Sequence, residues 1–456
     1  MRIAAAIGVA VLVLAVGPSL GQDRGEAARV MAVVSPKRLS TIIDRLVSFG
    51  TRHSLSETTS GIRGVGAARG WIKAEFESYS AGGAGGGKLE VSFEEFDAPP
   101  STRIPKGAHL VNVLAVLPGT KYPARRYYVV GHYDSMPGNV MDPNADAPGA
   151  NDDGSGTAAV MEIARAMAWR PQESTIVFLC TVGEEQGLIG AKYHADQAAA
   201  NKVDIRAVLS NDIVGDPWGS GGDKSRSTPG LIRVFSEGVP RNPGAEELAR
   251  IRTLSAESDS PSRQLARYIA DVAQTEKTAV QPMLIFRLDR FLRGGDHSAF
   301  NEAGFAAVRF TEVHEDYRHQ HQNVRKEKDA AGNEVQYGDL PGGVDAEYLA
   351  NVARLNAACL VHLANAPSTP AKARIITAEL EYTTTLRWEA SPEDDVAGYE
   401  VVWRETTAAT WDHVKDVGNA TEATIDESKD NYFFGVRAYD RDGYRSPVAF
   451  PGAAKK

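Results

Sequence analysis

GHYDSMPGNVMDPNADAPGANDDGSG, residues 131–156, joins a short apolar strand to an apolar helix. The strand signal is Tyr127 to Val130, and it runs directly into Gly131-His132-Tyr133-Asp134. Alternate side chains of a strand share a face, so His132 and Asp134 point the same way at its carboxyl end, where open α/β sheets carry their chemistry. A polar loop with Pro143, Pro148 and Gly149 follows, then Ala150-Asn151-Asp152-Asp153-Gly154 and a helix from about Thr157 to Trp169. An imidazole and carboxylates gathered at a strand end suit a borderline cation such as zinc. A solvated acidic loop is the alternative that an isolated His-x-Asp leaves open.

The same arrangement recurs twice downstream. Ser174 to Thr181 is a continuous apolar run of strand length, ending in Val182-Gly183-Glu184-Glu185-Gln186-Gly187 before a helix from about Leu188. Adjacent side chains at a strand end diverge, so one glutamate can bind metal while the other faces substrate. The competing reading is a pair of solvated carboxylates favoured by a helix dipole. A third strand, Ala207 to Ser210, delivers Asn211-Asp212.

Taken with GHYDS, the segments GANDDGSGTAAVMEIAR, GEEQGLIGA, LSNDIVG, GGDHSAF and YRHQHQN resemble, in order and in strand context from about residue 108 to 365, the M28 zinc peptidases, which include co-catalytic aminopeptidases. The resemblance implies two zinc ions per chain, with Asp152 bridging them. His132 and Asp212 would hold one ion, Glu185 and His319 the other, and Asp134 would orient His132. Glu184 would be the general base, and the Asp152–Asp153 peptide would be cis. For the last ligand the stretch VHEDYRHQHQN (313–323) offers His314, His319 and His321. In the family this histidine has an acidic residue four positions on, and on that resemblance His319 is expected, because Asn323 can still accept a ring N–H where Arg318 and Arg325, four after His314 and His321, cannot. Asp296 and His297 resemble the family's D-H-x-x-F segment and support the site, unless they merely open a helix.

Composition agrees with a globular enzyme of two or three domains: 456 residues, 43% hydrophobic and 24% charged. A net charge of -9 argues against nucleic acid as a partner. Cys180 and Cys359 lie in apolar elements and read as buried small hydrophobes, not a disulfide. Residues 1–21 read as an export signal: Arg2, an apolar core from Ile3 to Val16 and small residues before Gly21. An uncleaved anchor is the alternative, and otherwise a periplasmic or extracellular protein without stable membrane insertion is expected. The fold expected for 22–366 is a mostly parallel mixed sheet with helices on both faces. The long polar stretch from Gly215 to Ser260 reads as a wall of the substrate cleft or a disordered insertion.

Pro367 to Pro370 looks like a linker. Beyond it, period-two alternation around Trp388, Tyr399 to Trp403 and Tyr432 to Tyr439 predicts a β-sandwich over 371–452, which resembles fibronectin type III and suits surface or polymer contact. Together these readings predict a zinc exopeptidase acting on peptides, most simply an aminopeptidase. Alternatives are a carboxypeptidase or dipeptidase, for which Arg287, Arg290 and Arg293 offer positive charge, a single-zinc glutaminyl cyclase-like transferase, and a non-catalytic binding protein.

Overall fold

The computed structural model describes residues 25–80, 88–219, 224–378 and 380–454. The export signal falls outside them. Three helices, α1 (Glu26–Val33), α2 (Pro36–Val47) and α3 (Gly64–Tyr79), come first. Ser35 starts α2 by accepting the Arg38 N–H, with Pro36 in the first turn where its missing N–H costs nothing. The body of the chain then alternates β1 (Glu90–Ala98), β2 (Ala108–Leu117), β3 (Tyr122–His132), α4 (Gly154–Met167), β4 (Ser174–Thr181), α5 (Ile189–Ala200) and β5 (Asp204–Asn211). It continues through β6 (Leu231–Ser236), α6 (Ala245–Leu254), α7 (Pro261–Thr275), β7 (Gln281–Ile285), α8 (Asp296–Glu302), β8 (Ala307–Thr311), the hairpin β9 (Arg325–Lys328) and β10 (Glu334–Tyr337), and α9 (Ala346–Asn365).

Strands β1 to β8 form one sheet in the order β1-β2-β4-β3-β5-β8-β6-β7. Its centre, β4-β3-β5-β8, is parallel; β1 and β2 add antiparallel on one side and β6 meets β8 antiparallel on the other. The unbroken apolar runs of β3 and β4 follow from burial on both faces. Tyr127 and Val129 enter the core beneath α4 and α9, whereas Tyr128 and Val130 enter the second core with α5 and α8 residues. The parallel strands therefore aim their carboxyl ends at one edge, and His132, Glu184, Glu185 and Asp212 all follow there.

The polar stretch from Gly215 to Ser260 contains α6. Its only buried residue is Ile251, so it shows no apolar stripe for the sequence to reveal. Both cysteines are buried and free, as expected.

Residues 371–454 build the expected sandwich. One sheet orders β15 (Glu422–Ile425), β12 (Thr384–Glu389), β11 (Ala371–Ile376) and β17 (Gly452–Ala454); the other orders β14 (His413–Gly418), β13 (Val396–Glu405) and β16 (Tyr432–Asp440). Leu386, Trp388, Tyr399, Val401, Phe434 and Val436 share the core between them. The sandwich is docked on α7 through buried charge. Asp259, just before that helix, receives Arg404 of β13 at 2.7 and 2.9 Å and Arg267 of α7 at 3.3 Å, all three side chains at most 1% exposed.

Removing one partner of a buried ion pair leaves uncompensated charge at about 3–5 kcal/mol, while an exposed pair is worth about 0–1 kcal/mol. Asp259→Ala should therefore lower the thermal midpoint by several degrees, whereas Arg387→Ala, which breaks the exposed Arg387–Glu422 pair, should leave it nearly unchanged. Equal small shifts in the two variants would show that the docked face adds no stability.

Candidate metal centre

The strand ends converge on Asp152. Its Oδ1 lies 3.3 Å from Nε2 of His132, and its Oδ2 lies 3.0 Å from Nε2 of His321. Around the first pair comes Asp212, with Oδ2 3.9 Å from the His132 Nε2; around the second comes Glu185, with Oε2 3.2 Å from the His321 Nε2. Two groups thus share one carboxylate: His132, Asp152, Asp212 and Asp152, Glu185, His321, each with its donor atoms within 4.8 Å of one another. The Asp152–Asp153 peptide is cis, as the resemblance implied.

Local structure fixes each donor. His132 ends β3; its Nδ1 lies 3.2 Å from the Asp134 carbonyl oxygen and 3.4 Å from the Asp134 carboxylate, so Asp134 faces the second ring nitrogen as expected. Asp153 caps α4 by accepting the Gly156 N–H and also accepts the backbone N–H of His132. Asp339, distant in sequence, accepts the backbone N–H groups of Asn151 and Asp152 at 2.9 and 2.7 Å. Gln320 donates to Asp152 Oδ2 at 3.1 Å. Of these, Asp339 and Gln320 carried no signal in the sequence.

The fifth ligand position corrects the sequence reading. His321, not His319, turns into the cluster. His319 keeps its Nε2 4.0 Å from Asp316 and packs against Gly343, while His314 packs against Gly219 in a separate pocket with Arg226, Arg233 and Tyr317. The physical reason is a turn over residues 317–321 that ends on a left-handed His321, φ 54°, so that four-residue spacing no longer reports side-chain direction. Asn323, on which the His319 assignment rested, instead accepts the backbone N–H of Gly138.

The electrostatics are those of buried like charges held apart by cations. Burial opposes the His132 imidazolium, yet Asp134, Asp152 and Asp212 outweigh it and hold its pKa well above the ordinary range. His321 is likewise opposed by burial but pushed up to about 11 by Glu185 and Asp152. Burial would raise Asp212, and Arg309 with His132 overcomes it to bring the carboxyl down; the fully buried Arg309 places Nη2 3.0 Å from Asp212 Oδ2. Glu184 is half-buried, and burial, reinforced by Asp212, Glu185 and Asp296, drives its carboxyl well above the usual carboxylate range. Asp296 accepts from Thr181 at 2.5 Å, and its carboxyl is raised to about 6 chiefly by burial, so it supports the site's edge from α8. His297 binds the Leu288 carbonyl at 2.8 Å.

Three donor atoms in this cluster, His132 Nε2, Glu185 Oε1 and Asp212 Oδ1, are buried and make no hydrogen bond among the described residues. Buried polar atoms left without partners are costly unless something else engages them. Two imidazoles and three carboxylates, one of them the shared Asp152, are the donor set of a divalent transition metal, zinc in particular.

Beside Asp152 lies a small acidic space of about 10 Å³, lined by Asp216, Glu312, Asp316 and Asp339, with room for one small polar group. Among the described residues Glu312 leaves Oε1 buried and without a hydrogen bond. The arginines that offered positive charge are largely engaged: Arg290 and Arg293 both bind Glu315, at 2.8 and 2.9 Å, and Arg287 stands over the Phe291 ring.

Known proteins resemble the chain in sequence and fold. The sequence model of Peptidase family M28 matches residues 112–333. A probable zinc metalloprotease of Leptosphaeria maculans is 43% identical over 93% of this chain and 96% of its own length. One of Pyricularia oryzae is 44% identical over 92% of this chain and 82% of its own. Among solved structures, the LapA aminopeptidase of Legionella pneumophila superposes with a TM-score of 0.53 at 18% identity over 75% of each chain. The aminopeptidase of Aneurinibacillus sp. strain AM-1 gives 0.50 at 14% identity over 74% of this chain and 96% of its own. With a metal-donor cluster shared across Asp152 and relatives matched over nearly its full length, this chain belongs to peptidase family M28.

Proposed function

We propose that the protein is a zinc-dependent exopeptidase, an aminopeptidase holding two zinc ions, one on His132, Asp152 and Asp212 and the other on Asp152, Glu185 and His321. The observation that carries this reading is the division of Asp152, whose two oxygens face two different histidines. Bound zinc supplies Lewis-acid polarisation of the scissile carbonyl and eases deprotonation of water. Glu184 takes a proton from the attacking water as its oxygen bonds to the carbonyl carbon, then delivers that proton to the nitrogen as the C–N bond breaks, releasing a neutral amine. Its burial beside like charges raises its affinity for a proton, which suits a group that takes one up and passes it on.

The acid-lined space beside Asp152 and the engagement of Arg290 and Arg293 by Glu315 support an aminopeptidase over a carboxypeptidase, since a free substrate amine is cationic. The M28 relatives named zinc metalloproteases support the metal. The apolar stretch before Gly21 supports export to the periplasm or outside the cell; among the described residues no helix is long and apolar enough to cross a membrane. The two sheets packed over Trp388 support the fibronectin type III-like reading of the carboxyl-terminal sandwich, with surface or polymer contact as its role.

Glu184→Gln should retain zinc while kcat/KM falls about 10²–10⁴-fold; full activity would refute the general-base role. Metal analysis of the intact protein should find two zinc ions per chain, and a single ion with all five ligands in place would favour a cyclase-like transferase instead. His321→Ala should lose one of the two ions, and His319→Ala neither. Peptides with a free amino terminus should be cleaved, and chelation should abolish that cleavage. Cleavage confined to peptides blocked at the amino terminus would sink the aminopeptidase reading.

A further inference from the structure

The loop after α2, Thr51 to Ser56, lies outside the stretch matched by the family model, yet it is packed into the back of the metal centre. Arg52 is fully buried, and its guanidinium collects backbone carbonyls: Tyr133 at 2.7 Å, Pro148 at 2.5 Å, Gly149 at 2.8 Å and, more weakly, Leu46 at 3.3 Å. Tyr133 follows the His132 that ends β3, and Pro148 and Gly149 lead into Asp152, so one planar fork ties together the two chain segments that deliver those donors. The backbone adds to this: the Arg52 N–H reaches Ser135 Oγ at 3.1 Å, and Thr51 bridges to Ala147.

Two residues on, the Ser54 hydroxyl donates to Asp134 Oδ2 at 2.8 Å and touches the side-chain amide of Gln186, the neighbour of Glu185. Asp134 is the group that faces Nδ1 of His132, and it also accepts the backbone N–H groups of Glu184 and Glu185, each at 3.3 Å. A hydroxyl that fixes this carboxylate therefore bears on the orientation of His132 and on the turn that carries both glutamates.

We propose that Arg52 and Ser54 are positioning residues of the metal centre, Arg52 by clamping the strand end of His132 to the loop entering Asp152, and Ser54 by fixing Asp134. The proposal rests on the two-zinc reading above. Partners that orient metal ligands change metal affinity about 10–100-fold when removed, whereas a merely structural contact changes stability alone.

The test is zinc titration of the full chain, stripped by chelator, against a chromogenic competitor, alongside the thermal midpoint of the stripped protein. Ser54→Ala should weaken zinc binding about 10–100-fold at an unchanged midpoint, and Ser54→Thr, which restores a hydroxyl, should recover most of the affinity. Arg52→Lys keeps the charge but cannot span three carbonyls; it should weaken zinc binding beyond any fall in midpoint. Wild-type affinity in Ser54→Ala would overturn the role of Ser54, and a lowered midpoint with wild-type affinity in Arg52→Lys would overturn that of Arg52. Wild-type protein that takes up no zinc would instead sink the two-zinc reading itself.

Discussion

Everything at the sheet's edge depends on Asp152 presenting its two oxygens to opposite sides. A carboxylate on a free loop would rotate about its side-chain torsions and serve one partner at a time. Here the backbone beneath it is held from three directions. Asp339 accepts the N–H groups of Asn151 and Asp152, Asp153 accepts those of His132 and Gly156, and Arg52 draws in the carbonyls of Pro148 and Gly149. The loop is irregular, and these side chains engage backbone groups that no strand or helix partners, which allows irregular backbone to be buried.

The same convergence brings many acids into low dielectric, where two like charges about 4 Å apart repel by about 4 kcal/mol at an effective dielectric of 20. The protein answers with buried arginines used in two different ways. Arg309 pairs with carboxylates, Asp212 at 3.0 Å and Asp289 at 3.1 Å, so it cancels charge directly. Arg52 touches no carboxylate within ion-pair distance among the described residues and binds carbonyls instead, lending its field to Asp134, Asp152, Asp153 and Asp339 while its hydrogen bonds go to the backbone. The two are not interchangeable: one sets charge and the other sets shape. A third group, Arg233, Arg290 and Arg293, is drawn onto Glu315, and this leaves Asp216 and Glu312 without ion-pair partners among the described residues beside Asp152.

The carboxyl-terminal sandwich is joined to this framework at a particular place. It docks on α7, and α7 packs over β6, β7 and β8, the side of the sheet where the parallel centre gives way to mixed pairing. Arg404 and Arg267 on Asp259, Tyr268 on the Arg445 carbonyl and Trp411 on Gln264 make the contact polar and directional. A tethered module with no fixed seat would have no use for a fully buried arginine at its boundary, so the sandwich is a structural part of the peptidase as well as a candidate contact surface.

How much of this was legible in the sequence follows from which interactions are local. Strand direction and the two-residue period put His132 beside Asp134 and aimed Glu184, Glu185 and Asp212 at one edge, because both rules act within a few residues of the motif. Helix α4 was legible as an apolar run after the Asp152-Asp153 loop, and α6 was not, because it buries only one residue. His321 escaped for a sharper reason. The argument for His319 assumed that spacing along the chain tracks direction in space, which holds in helices and strands but fails where φ turns positive, and His321 is such a residue. The residues that hold the ligands in place, Arg52, Ser54 and Asp339, were silent for a third reason: their partners in the site lie 80 to 188 residues away, the weaker Leu46 contact of Arg52 being the local exception, and nothing in their own neighbourhoods distinguishes them from an ordinary polar loop. The ligands at strand ends sit where local rules put them, but the scaffold that orients them is assembled from distant segments and becomes visible only once the chain has folded.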